Sequence, residues 1–80
     1  MIFLIEYDRN QGRIVTIKSF EDSDGEKAEV LRLELELRLG QQHIDNEVVL
    51  LEAATERALR LTHRRYFEDL SELTTSPSLS

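Results

Sequence analysis

The order of apolar and polar residues predicts a β-hairpin at the start of the chain. The segments IFLIEY and RIVTIKSF are rich in β-branched and aromatic residues, and a polar stretch lies between them. We therefore predict a hairpin over residues 2–20, in which Asp8 hydrogen-bonds nearby backbone and Gly12 takes a positive φ. Because IFLI is apolar at consecutive positions, we expect the first strand to be central, with both faces covered.

The leucine-rich segment that follows allows two interpretations. Every second residue from 31 to 39 is leucine, which is the period of a strand, but Leu, Glu and Arg are strong helix formers. Ser23 and Glu26 have the spacing of a capping box, and Gly40 stands where a helix commonly ends. We therefore predict a helix from 24 to 39. If the segment is a strand instead, the fold becomes a four-stranded meander with a C-terminal helix.

A helix over this segment has apolar residues on two opposite sides. The side that can pack on a sheet consists of Ala28, Leu31, Leu35 and Leu39. The opposite side carries Val30, Leu33 and Leu37, a row that is poorly suited to contact with water. We therefore predict that Val30, Leu33 and Leu37 form an interface with another protein or with a second copy of the chain.

The remaining segments complete a small fold. The apolar run EVVLLEA predicts a third strand, and Thr55 is the expected N-cap of a second helix from about 56 to 70. The tail 74–80, TTSPSLS, is predicted to be disordered, which leaves 1–73 as a single domain.

These elements follow one another in the order ββαβα. A right-handed crossover makes the third strand parallel to the second, and placing the apolar first strand between them gives the sheet order 2-1-3. A three-stranded sheet with two helices is an α+β domain, which we expect to have two layers. If both helices lie on one face, the bare face of the sheet would again indicate a partner.

The second helix concentrates positive charge. Four of its residues could contact an anion or nucleic acid through their guanidinium groups: Arg57, Arg60, Arg64 and Arg65. The competing interpretation is that arginines pair along the helix with carboxylates four residues away, namely Glu56, Glu68 and Asp69. His63 is a weak catalytic candidate, since the sequence shows no partner that would orient its ring for proton transfer. We expect it to be a half-buried structural residue.

Composition narrows the classes of function. The chain has 80 residues. Because it contains no cysteine, disulfides and thiolate metal sites are excluded. Its net charge of −6 disfavours binding to nucleic acid. It contains no apolar run long enough to span a membrane, and no glycine-rich phosphate loop or nucleophile motif. We therefore expect a soluble, cytoplasmic protein without a metal or cofactor.

The leading hypothesis is a non-enzymatic protein-interaction or structural module that acts as a homodimer. Its basis is the apolar surface left over after one domain has folded. One alternative is a nucleic-acid-associated accessory protein that uses the arginine-rich face of the second helix. The other is a small enzyme with an anion pocket around His63.

Overall fold

The computed structural model describes residues 1–67 and has the predicted order of elements. They are β1 (Ile2–Asp8), β2 (Arg13–Phe20), α1 (Gly25–Gln41), β3 (Glu47–Glu52) and α2 (Glu56–Thr62), with 3-10 turns at Asp22–Asp24 and Arg64–Tyr66. The leucine-rich segment is a helix, so the four-stranded meander is not needed. High helix propensity, together with one apolar side that packs on the sheet, outweighs the alternation of leucines.

The sheet has the predicted order 2-1-3, with β1 in the centre. β1 is antiparallel to both neighbours, so β2 and β3 run parallel to each other, as the crossover argument requires. At the middle of the sheet Ile5 lies opposite Ile17 on β2 and Val49 on β3. Residues 2 to 7 of β1 are all buried, which confirms that the continuous apolar strand is covered on both faces.

The two helices cover opposite faces of the sheet. On one face, Ile2, Leu4 and Phe20 pack with Ala28 of α1. The other face presents Phe3, Ile5 and Tyr7, which pack with Leu59 of α2 and Tyr66 of the following turn. The α+β class is confirmed, but the description as two layers is corrected to a sheet with a helix on each side. Neither face of β1 could be left exposed, since both carry large apolar side chains.

The hairpin turn forms as the sequence predicts. The Asp8 carboxylate accepts hydrogen bonds from the backbone N–H groups of Asn10, at 2.9 Å, and Gln11, at 3.1 Å. Gly12 has a φ of 67°, a conformation that favours glycine, and its N–H donates to the Asp8 carbonyl at 2.7 Å. Together these bonds hold the turn in which Tyr7 pairs with Ile14 and Asp8 with Arg13, and the pairing shifts by one residue at a bulge between Glu6 and Tyr7.

The ends of α1 differ from the prediction. Ser23 lies within the 3-10 turn before the helix, so it forms no capping box, and the N-cap Asp24 makes no side-chain cap bond. Gly40 lies inside the last turn, and the positive φ that ends the helix belongs to His43, at 57°. The N–H of Ile44 then donates to the carbonyl of Leu39 at 2.9 Å, as in a Schellman motif.

α2 begins as predicted and ends early. The Thr55 hydroxyl accepts a hydrogen bond from the N–H of Ala58 at 3.1 Å, which confirms the N-cap. The helix stops at Thr62, because His63 leaves helical geometry with a ψ of 53° and the chain continues as a 3-10 turn. The rest of the predicted helix to residue 70 and the predicted tail 74–80 lie outside the described residues.

Candidate functional site

The predicted interface residues of α1 form an exposed apolar stripe. Val30, Leu33 and Leu37, which we call the outer stripe, are 54%, 51% and 67% exposed. They point away from the sheet, since the opposite side of the same helix contributes the buried Ala28 and Leu35 to the core. The outer stripe is the largest group of exposed large hydrophobic residues on any one element among residues 1–67.

A charged network borders the outer stripe on one side. The Arg32 guanidinium donates hydrogen bonds to Glu29, at 2.8 Å, and to Glu36, at 2.6 Å, one turn before and one turn after it. Such i,i+3 and i,i+4 pairs hold long side chains in place along the helix surface. The stripe therefore has a defined polar edge, which is the arrangement found at the rim of protein interfaces.

The four predicted anion-contact arginines do not form one continuous stripe. The early end of α2 puts Arg57 and Arg60 on the helix and Arg64 and Arg65 on the 3-10 turn. Arg60 pairs with Glu56 at 2.9 Å, as the competing interpretation predicted, and its guanidinium lies 4.6 Å from the centre of the Phe67 ring. The predicted pairs with Glu68 and Asp69 lie outside the described residues.

Arg65 belongs to a polar cluster that ties the 3-10 turn to β3. Its guanidinium donates to Glu47 at 2.8 Å and to the Tyr66 hydroxyl at 2.6 Å. The Tyr66 hydroxyl in turn donates to the same Glu47 oxygen at 2.5 Å, and the Tyr66 ring packs edge-on against Tyr7. On the other side, Arg9 approaches Glu47 at 3.5 Å.

The chemistry of this cluster is that of a structural link. The hydrogen bond from Tyr66 is the main cause that holds the pKa of Glu47 below its usual range, with smaller contributions from Arg65. Burial, followed by the bond to Glu47, raises the pKa of Tyr66. Arg60 already contacts Glu56 and the Phe67 ring, and Arg65 contacts Glu47 and the Tyr66 ring. These two of the four arginines would therefore have to break those contacts before they could bind a phosphate.

The two histidines occupy helix ends. His63 is partly exposed and follows α2, where its N–H donates to the Leu59 carbonyl at 2.9 Å. Its side chain has no hydrogen-bond partner among residues 1–67 that would orient the ring as a general base. His43 ends α1 through its backbone conformation. In this part of the chain, no three His, Asp or Glu side chains come together as metal ligands.

Sequence reasoning missed one residue with unusual surroundings. Glu6 lies on central strand β1 and is only 7% exposed, and it is the one charged residue that is buried within residues 1–67. Its carboxylate accepts hydrogen bonds from the Thr16 hydroxyl, at 3.1 Å, and from the Asn46 amide, at 2.7 Å. The available signal was the single glutamate within the apolar run from Ile2 to Tyr7.

No protein-family model, no curated protein and no solved structure matches this chain. Of the helices in residues 1–67, none has the length and apolar character needed to cross a bilayer.

Proposed function

We propose that this protein is a non-enzymatic interaction module that works as a homodimer through the outer stripe of α1. The observation that carries the proposal is that Val30, Leu33 and Leu37 are each more than half exposed on a single helix face. The absence of cysteine suits the reducing cytoplasm, where we place the protein.

A second copy of the chain fits the outer stripe because the stripe is nearly symmetric. Val30 and Leu37 lie at similar distances along the helix on either side of a point close to Leu33. In an antiparallel pair of α1 helices related by a two-fold axis, Val30 of one copy therefore meets Leu37 of the other.

The apolar area supports a weak rather than an obligate dimer. Each half-exposed Val or Leu side chain would contribute roughly 1–1.5 kcal/mol on burial, or about 6–9 kcal/mol for the six in a dimer. Association itself costs about 4–15 kcal/mol. At the low end of that cost the stripe leaves at most about −5 kcal/mol, so we expect a dissociation constant in the submillimolar to millimolar range, about −5 to −4 kcal/mol.

Charge introduced into the stripe tests the proposal. The double variant Leu33→Glu and Leu37→Glu should remain folded and become monomeric, because two carboxylates per copy would be buried without partners. The matched control is Leu61→Glu on α2, whose side chain is as exposed as Leu37 at 67%. The molar mass of the double variant and of the control is measured by light scattering behind a sizing column. An unchanged molar mass for the double variant, or an equal loss in the control, would refute the proposed interface.

The orientation has its own test, since the chain has no native cysteine. In an antiparallel pair, the thiol of Leu33→Cys meets its copy near the two-fold axis and should form an intermolecular disulfide under mild oxidation. The thiol of Val30→Cys faces Leu37 instead and should not. Efficient cross-linking through position 30 would indicate a parallel pair.

The nucleic-acid and enzyme alternatives have less support. Net charge opposes the first, and Arg60 and Arg65 are already paired. Binding to nucleic acid that weakens steeply with salt, and further on Arg57→Glu, would revive it. For the second, a proton NMR titration of His63 that responds to added phosphate would be the first positive sign.

A further inference from the structure

The buried carboxylate of Glu6 opens into a cavity beside α1. The cavity has a volume of about 180 Å³ and is lined by Leu4, Glu6, Thr16, Lys18, Leu31, Leu35 and Arg38. It lies on the side of α1 toward β2, because the helix packs mainly on β1 and β3 and leaves this edge of the sheet uncovered. The volume corresponds to roughly six water molecules at about 30 Å³ each, which suits a ligand of few atoms.

The negative and positive side chains that line this cavity lie at opposite ends of it. Glu6 lies at the buried end, while Lys18 and Arg38 are exposed at the mouth. None of the three forms an ion pair with another residue of the described chain. Glu6 receives two hydrogen bonds, both from neutral groups, and a carboxylate can accept about four. The leucine side chains of the lining supply the apolar wall between the two ends.

The position of Glu6 favours a ligand over a purely structural role. Removing a carboxylate from water costs several kcal/mol unless opposite charge or hydrogen bonds compensate. Here two hydrogen bonds from neutral groups offset part of that cost, and no cation contributes. Residues that break the local pattern of a buried strand commonly mark functional sites. A ligand cation would supply the missing opposite charge.

We propose that this cavity binds a small zwitterion whose ammonium and carboxylate groups are separated by a short aliphatic chain, an ω-amino acid of about five carbons. The ammonium donates to Glu6, the aliphatic chain lies against Leu31 and Leu35, and the carboxylate pairs with Lys18 and Arg38. This site is separate from the outer stripe, which lies on the opposite side of α1, and the inference does not depend on dimerisation.

Three matched probes dissect the site: 5-aminopentanoate carries both charges, pentylamine only the cation and pentanoate only the anion. Amide chemical shifts of the ¹⁵N-labelled protein are followed during each titration. We expect saturable shifts at Leu4, Glu6, Leu31 and Leu35, with 5-aminopentanoate binding at least about tenfold more tightly than either single-charge probe. The absence of saturable shifts with 5-aminopentanoate, or equal affinity for pentylamine, would overturn the proposal.

Variants assign each end of the ligand. Glu6→Gln should weaken 5-aminopentanoate about tenfold or more, to the level of pentanoate. Glu52→Gln, an exposed glutamate on the same face of the adjacent strand, is the matched control and should bind as the wild type does. If Glu6→Gln does not fold, the site can still be tested with Lys18→Ala and Arg38→Ala, because both positions are exposed. Their combination should reduce the affinity to that of pentylamine, and unchanged affinity would refute the site.

Discussion

Removing one oxygen atom, in Tyr66→Phe, tests the link between the C-terminal 3-10 turn and the sheet. The buried Tyr66 hydroxyl donates to Glu47 at 2.5 Å and accepts from Arg65 at 2.6 Å. A hydrogen bond to a charged group contributes about 1.5–3 kcal/mol, but Glu47 keeps its bond to Arg65 at 2.8 Å when the hydroxyl is lost. We therefore expect the free energy of unfolding to fall by about 1–2 kcal/mol near pH 7.

The effect of Tyr66→Phe should depend on pH in a defined way. The folded pKa of Glu47 is lowered from 4.5, so the stabilisation is present above that value and is lost as the pH falls through the folded pKa. The folded pKa of Tyr66 is raised from 10.0, so the stabilisation is present below pH 10 and is lost as the pH rises beyond it. The difference between wild type and variant should therefore be largest between these limits.

Urea unfolding followed by circular dichroism at fixed protein concentration measures this difference across pH. The matched control is Tyr7→Phe, which removes the hydroxyl of the other buried tyrosine, a group without a hydrogen-bond partner among residues 1–67. We expect its effect to stay within about 0.5 kcal/mol. If Tyr66→Phe costs no more than the control, or costs the same at every pH, the cluster does not stabilise the fold as described.

Three further predictions concern the elements of the fold. For each one, the change in the free energy of unfolding is measured by thermal unfolding. Thr55→Ala should cost about 1 kcal/mol through loss of the N-cap bond of α2, whereas Ser23→Ala, which removes no cap bond, should be nearly neutral. Leu59→Ala should cost about 2–5 kcal/mol because the side chain is fully buried, and Leu61→Ala, at an exposed position, less than about 0.5 kcal/mol. His43→Gly should stabilise the protein by about 0.5–1 kcal/mol by relieving a positive φ, and a loss of stability would contradict the assigned helix end.

The fold was predictable from sequence because its determinants are local. The apolar run in β1, the Asp8 and Gly12 turn and the Thr55 cap each act within a few residues, and together they fix the element order and the central strand. The outer stripe of α1 also followed from periodicity alone, since exposure on one helix side is decided by burial on the other.

The rest depends on tertiary contacts that single-sequence patterns do not encode. The early end of α2 accompanies the bonds of Tyr66 and Arg65 to Glu47, nearly twenty residues away in sequence. Likewise, Glu6 is recognisable as a buried charge only once Asn46, forty residues further on, is seen to donate to it. A glutamate in a strand reads from sequence as a solvent-facing position.

The most direct test of the central claim is the molar mass of the unmodified protein in solution over a wide concentration range. Self-association through the outer stripe predicts a mass that rises from 9.3 kDa toward twice that value with concentration. The midpoint should lie at submillimolar to millimolar concentration, which corresponds to about −5 to −4 kcal/mol. A mass that stays at 9.3 kDa up to millimolar concentration would contradict the homodimer.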